Sequence, residues 1–231
     1  MFHTDYMQFY PTPLELGKLA WSKFQNRNFV KVLEPSAGDG ALVKAHPHWS
    51  SDGHFRRINV DVLEADVTKH DVLRKIGVDV VGLDFLQFSN GAQYSHIILN
   101  PPFNQGVHHV LKAWDILWNG EVVAILNAES VKNPFSKERQ HLVDLIERHG
   151  SVEFIKDAFQ GTNVVRTADV EIALIWLRKE ANLEQDLFGD MLEGLAEDGE
   201  TGCGLAGEYQ QMHEVALPNS VIENRVAAFR A

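Results

Sequence analysis

Apolar residues along the chain keep two rhythms. Short continuous runs alternate with longer stretches where apolar positions recur every three or four residues, the pattern of a parallel sheet covered by helices. Leu14, Leu16, Leu19, Ala20, Trp21 and Phe24 predict a helix over 14–24. Further helices are predicted over 41–46, stopped by Pro47, and over 68–75, 107–118 and 137–149. Strands are predicted over 29–33, 59–63, 78–83, 94–99, 121–126, 152–155 and 170–177. The last is a near-continuous apolar run, typical of a sheet interior. These elements describe an α/β domain over residues 1–179, with a mostly parallel seven-stranded sheet and helices on both faces. Residues 180–231 change character, with Gly189, Gly194, Gly199, Gly202, Gly204 and Gly207 set among acidic residues. They read as a linker or tail, and Val221 to Phe229 as a short helix that could open a further module.

Composition is that of a soluble globular chain, with 45% apolar and 23% charged residues. The net charge of -11 argues, taken whole, against a nucleic-acid partner. Divided, it does not: residues 1–179 carry 19 basic and 21 acidic side chains, whereas 180–231 carry 2 and 11. The excess acid belongs to the tail. One cysteine, Cys203, excludes an intramolecular disulfide framework and a cysteine-rich zinc site. The adjacent His108 and His109 would diverge on a helix and have no carboxylate or Cys partners close by, so no metal is expected. No apolar run approaches the ~18 residues of a membrane span, and Met1 to Asp5 lack signal-peptide character. The expected location is cytoplasmic, with no membrane contact.

Four segments carry candidate chemistry. Glu34-Pro35-Ser36-Ala37-Gly38-Asp39-Gly40 runs from a strand through a glycine turn into a helix. Gly38 and Gly40 permit a close ligand approach that a Cβ would block. The phosphate-loop Lys is missing, and Glu34 at the strand end suits a cationic ammonium or sulfonium ligand. Glu64 ends the next strand, 26 residues after Gly38, where a carboxylate can accept both ribose hydroxyls, although Asp61 and Asp66 compete for that role. Asp84, after the third strand, could accept from an adenine amino group while Phe85 flanks the ring. Asn100-Pro101-Pro102-Phe103 follows an apolar strand directly. Two prolines remove two donors and hold the chain extended. The Asn100 side-chain oxygen and the Pro101 carbonyl can then accept from one flat amino group, with Phe103 as an aromatic face.

Together these motifs resemble the class I S-adenosylmethionine-dependent methyltransferases, in particular those acting on the adenine amino group of nucleic acids. The resemblance spans roughly residues 6–179. Phe9-Tyr10-Pro11-Thr12-Pro13 is similar to the family's N-terminal cofactor motif, and Glu34 to Gly40 to its Gly-rich motif. Glu64 stands at the ribose motif, Asp84-Phe85 at the adenine-ring motif, and Asn100 to Phe103 at the catalytic tetrapeptide. The motif order resembles the gamma arrangement of DNA N6-adenine methyltransferases, in the flavour of stand-alone phage and plasmid enzymes.

The resemblance implies a Rossmann-like methyltransferase fold with S-adenosylmethionine as cofactor. Tyr10, Thr12, Pro13, Glu34, Ser36, Gly38, Gly40, Glu64, Asp84 and Phe85 would bind it. Asn100, Pro101, Pro102 and Phe103 would be catalytic, methylating N6 of a flipped or unpaired DNA adenine. A second aromatic would cover the other face of the base, with Phe159 the first candidate and Phe135 the second. Lys132, Lys137 and Arg139, with His141 nearby and Arg166 in a polar loop, would contact phosphates. The span between Leu126 and Phe159 is short for a target-recognition domain, which points to weak specificity, a recognition partner or a missing C-terminal module. Rival readings are an RNA adenine methyltransferase, a protein glutamine methyltransferase, or a non-catalytic nucleic-acid-binding module that keeps the fold.

Overall fold

The apolar runs become a seven-stranded sheet in the computed structural model, which describes residues 11–49, 59–159 and 171–181. The strands are β1 (Val32–Glu34), β2 (Val60–Leu63), β3 (Asp79–Gly82), β4 (His96–Leu99), β5 (Gly120–Asn127), β6 (Gly150–Ile155) and β7 (Ile172–Lys179), in the order β3-β2-β1-β4-β5-β7-β6. β1 pairs with β2 and β4 in parallel, as do β2 with β3 and β4 with β5. β7 is antiparallel to both β5 and β6 and lies between them. The architecture is therefore α/β with a mostly parallel sheet, as expected.

The helices are α1 (Leu14–Lys23), α2 (Ala41–Lys44), α3 (His70–Lys75), α4 (Gly106–Ile116), α5 (Glu129–Lys132) and α6 (Lys137–His149). Strand side chains alternate between two cores, so helices cover both faces. Val123 and Ile125 of β5 join the core that takes Trp21 of α1, Val43 of α2 and Leu73 of α3. Val122, Ala124 and Leu126 join the core that takes Val110 of α4 and Leu142 of α6. Each fully buried Val, Leu or Ile contributes about 1.5–3 kcal/mol, which makes the continuous apolar strands the main source of stability.

Most boundaries differ from the expected ones by one or two residues, and three larger differences have a local cause. β1 starts at Val32 because Phe29 is drawn edge-on against Trp21, with ring centroids 5.5 Å apart, instead of entering the ladder. The helix expected over 68–75 is divided: Asp66 accepts from the Thr68 N–H and caps a 3-10 turn over Val67–Lys69, and α3 follows. α5 was not expected, since four residues are too few to show a helical period. Among the described residues no helix is long and apolar enough to cross a membrane. Tyr10, Arg166, Cys203 and the helix expected over 221–229 lie outside the described residues.

Candidate active site

The strand order reverses direction between β1 and β4, the place where open α/β sheets form ligand crevices at the carboxyl ends of their strands. A cavity of about 370 Å³ lies there, within the range of small-ligand sites. Its wall draws on the ends of β1, β2, β3 and β4 and on the segment before α1. Thr12, Glu34, Ser36, Gly38, Glu64, Asp84 and Phe85 line it, together with all four residues of Asn100-Pro101-Pro102-Phe103. Sequence positions as distant as Thr12 and Phe103 thus meet in one chamber.

The glycine turn owes its shape to two left-handed residues, Gly38 at φ 57° and Gly40 at φ 78°. Gly38 lines the cavity and Gly40 does not. A Cβ on Gly40 would stand 2.3 Å from Ile76 Cδ1, so the residue serves the approach of α2 to α3. Pro13 does not line the cavity; it precedes the first turn of α1, where its carbonyl accepts from the Gly17 N–H.

Carboxylates dominate the glycine side. Glu64 is buried, accepting from the Gly38 N–H at 2.6 Å and the Asp66 N–H at 2.8 Å, so it braces the glycine turn against β2. Its rivals for the ribose role are placed elsewhere: Asp61 accepts from the Tyr94 hydroxyl and pairs with Lys31, and Asp66 caps the 3-10 turn. Glu34 is also buried, and among the described residues its Oε2 finds no hydrogen-bond partner. Burial pushes the Glu34 carboxyl well above the usual carboxylate range, against the lowering effect of the Val43 N–H, and Asp39 and Glu64 push it further. Asp39, not singled out from sequence, lines the cavity with a buried Oδ1 that also has no partner among the described residues.

At the other side the Asn100 amide is tethered: its Nδ2 donates to Thr12 Oγ1 at 2.9 Å. Asp84 accepts from the Leu86 N–H and caps a 3-10 turn, while Phe85 is nearly fully buried with its ring 5.6 Å from that of His109. Phe103 and Phe159 meet near-perpendicularly at 6.0 Å, so the structure brings together the two aromatics proposed to flank a base. Phe135 is 79% exposed, stacks on the Arg139 guanidinium and does not line the cavity.

Two of the three described basic side chains engage protein groups. Lys132 pairs with Glu171 and stands over the Phe154 ring, and Arg139 donates to the carbonyls of Glu129 and Asn133 around α5. Lys137 is exposed in the first turn of α6. None of the three lines the cavity. His109, Lys69 and Gln105 do line it and were not assigned a role from sequence; the four-residue spacing of Gln105 and His109 after the tetrapeptide was the available signal. Among the described residues no group of three or more metal-ligating side chains is assembled.

The chain matches no protein-family model. It is 26% identical over 152 residues to the tRNA1(Val) (adenine(37)-N6)-methyltransferase of Aliivibrio fischeri, covering 64% of this chain and 60% of that enzyme. Among solved structures it resembles the methyltransferase subunit of a type I restriction-modification system from Streptococcus thermophilus, with TM-score 0.57 and 15% identity over 76% of this chain and 46% of that one. A Listeria monocytogenes protein assigned to the class I S-adenosylmethionine-dependent methyltransferases gives TM-score 0.53 at 12% identity over 74% of this chain and 61% of that one. The chain therefore has the Rossmann-like fold of class I methyltransferases. It spans about 60% of the length of the Aliivibrio enzyme.

Proposed function

We propose that the chain is an S-adenosylmethionine-dependent methyltransferase acting on the N6 amino group of adenine in nucleic acid, with DNA as the first substrate. The observation that carries this reading is the Asn100 amide, tied to Thr12 and followed by Pro101-Pro102-Phe103, in the same cavity as Gly38, Glu64 and Asp84. Glu34 Oε2 and Asp39 Oδ1, buried and unpartnered among the described residues, fit a cationic ligand, because a carboxylate oxygen without a donor is costly until a positive group arrives. When bound, the cofactor supplies an electrophilic methyl group on a sulfonium.

This chain's residues do the rest by placement. The adenine N6 lone pair is delocalised into the ring and nucleophilically weak. Asn100 Oδ1 and the Pro101 carbonyl accept its two hydrogens, which favours the pyramidal nitrogen. Because positive charge grows on N6 as it attacks, acceptors fixed in advance stabilise the transition state more than the ground state. Phe103 and Phe159 offer faces to the base, and Glu64 and Asp84 serve the ribose and adenine of the cofactor. RNA is the second reading, favoured by the similarity to a tRNA adenine methyltransferase.

The test offers methyl-labelled cofactor with duplex DNA, single-stranded DNA, tRNA and protein, and maps the modified adenines. Label in 6-methyladenine of DNA supports the first reading, and label in RNA alone moves the assignment to the second. Label on protein glutamine, or cofactor binding without transfer to any of the four, overturns both. Asn100→Ala is expected to abolish transfer, by about 10² or more in rate, while S-adenosylhomocysteine still binds.

A further inference from the structure

His109 stands in the cavity beside Phe85 and Asp84, one turn into α4, and the tetrapeptide chemistry makes no use of it. Its Nδ1 lies 3.0 Å from the Gln105 carbonyl, an acceptor only, so Nδ1 carries the hydrogen. Nε2, on the ring edge away from that carbonyl, is then the acceptor of a neutral imidazole. Burial holds the ring neutral by lowering its pKa, with His108 acting in the same direction and the Gln105 carbonyl and Asp84 opposing. Among the described residues no group hydrogen-bonds Nε2. The adjoining wall presents a second acceptor, the Asp84 carboxylate, next to the flat ring of Phe85. Two acceptors beside an aromatic ring match a planar heterocycle with an exocyclic –NH2, which has two hydrogens to give, and mismatch a 6-oxo purine, which has none there.

We infer that His109 Nε2 accepts a hydrogen from the exocyclic amino group of the cofactor's adenine, sharing that group with Asp84 and selecting adenine over its 6-oxo counterpart. The inference rests on the cofactor reading above. His109 is a specificity residue here and takes no part in the methyl transfer itself.

The experiment measures binding of S-adenosylhomocysteine and of S-inosylhomocysteine to the full chain and to two variants. His109→Asn keeps a donor for the Gln105 carbonyl and removes the acceptor at the Nε2 position; His109→Gln restores an acceptor there. Wild type is expected to prefer the adenosyl ligand. His109→Asn should weaken adenosyl binding by about tenfold, as loss of a buried hydrogen bond implies, with the inosyl ligand unaffected. His109→Gln should recover most of the preference. Equal weakening of both ligands in both variants, or no change in the ratio, overturns the inference and leaves His109 as packing. Binding of neither ligand to wild type overturns the cofactor reading, and this inference with it; if His109→Asn does not melt cooperatively, His109→Ala takes its place under the same expectation.

Discussion

At the scale of single residues, the hydrogen bond between Thr12 and Asn100 joins the segment before α1 to the end of β4, 88 residues apart. Without the Thr12 hydroxyl the Asn100 amide loses this tether. Thr12→Val is therefore expected to slow single-turnover methyl transfer about five- to tenfold, with a smaller effect on S-adenosylhomocysteine affinity, whereas Thr12→Ser keeps most of the rate. Equal losses in the two variants would assign Thr12 to packing. Glu34 presents the opposite case, a group whose burial works against the fold. Its folded carboxyl binds a proton more tightly than the unfolded one, so stability is lost as pH rises above the ordinary value of 4.5 toward the raised folded value. Glu34→Gln removes that dependence. The melting temperature of the variant is expected to exceed that of wild type near neutral pH and to converge with it in acid, while affinity for the cationic cofactor falls. A melting difference independent of pH would remove Glu34 from this role.

At the scale of elements, short connections with special backbone place the site. Gly40 combines a positive φ with a side-chain contact that a methyl group would violate, so Gly40→Ala should destabilise the fold by about 1–3 kcal/mol, read by urea denaturation with unchanged m-value. Elements whose signals are local were legible in the sequence. α6 occupies Lys137–His149 as expected, because Ser136 caps it and Leu142, Leu145 and Ile146 mark one face. Asn100-Pro101-Pro102 ends β4 as expected, because prolines cannot continue a central strand. The remainder depends on contacts between distant elements. Nothing local says that β7 enters between β5 and β6, since an apolar run suits an interior strand of either direction. Nothing near Lys132 or Arg139 announces that Glu171, 39 residues from Lys132, or the carbonyls around α5 will occupy their charges. Phe159 was legible only as an aromatic in the right interval; its meeting with Phe103 is a tertiary fact.

At the scale of the whole molecule, charge governs how a nucleic acid would approach. The 1–179 segment is close to neutral and the 180–231 segment carries 11 acidic against 2 basic side chains. Lys132 and Arg139 already have protein partners, which weakens each as a phosphate ligand, and Arg166 lies outside the described residues. Few neutralised phosphates mean a shallow dependence of affinity on salt, since each contributes about -0.9 to the logarithmic slope on duplex DNA. Against so small an attraction, a tail of this charge is a substantial opposing term wherever it is not screened. Screening sets in at a Debye length of about 10 Å in 0.1 M salt and about 30 Å in 0.01 M. Removal of residues 182–231 is thus expected to raise duplex-DNA affinity several-fold at 0.01 M salt and hardly at all above 0.15 M, measured by fluorescence anisotropy. The truncated chain must first show an unchanged melting transition, so that the comparison reports charge and not folding. A gain in affinity that persists undiminished at high salt would mean that the tail blocks the site sterically, and no gain at low salt would make it a spacer.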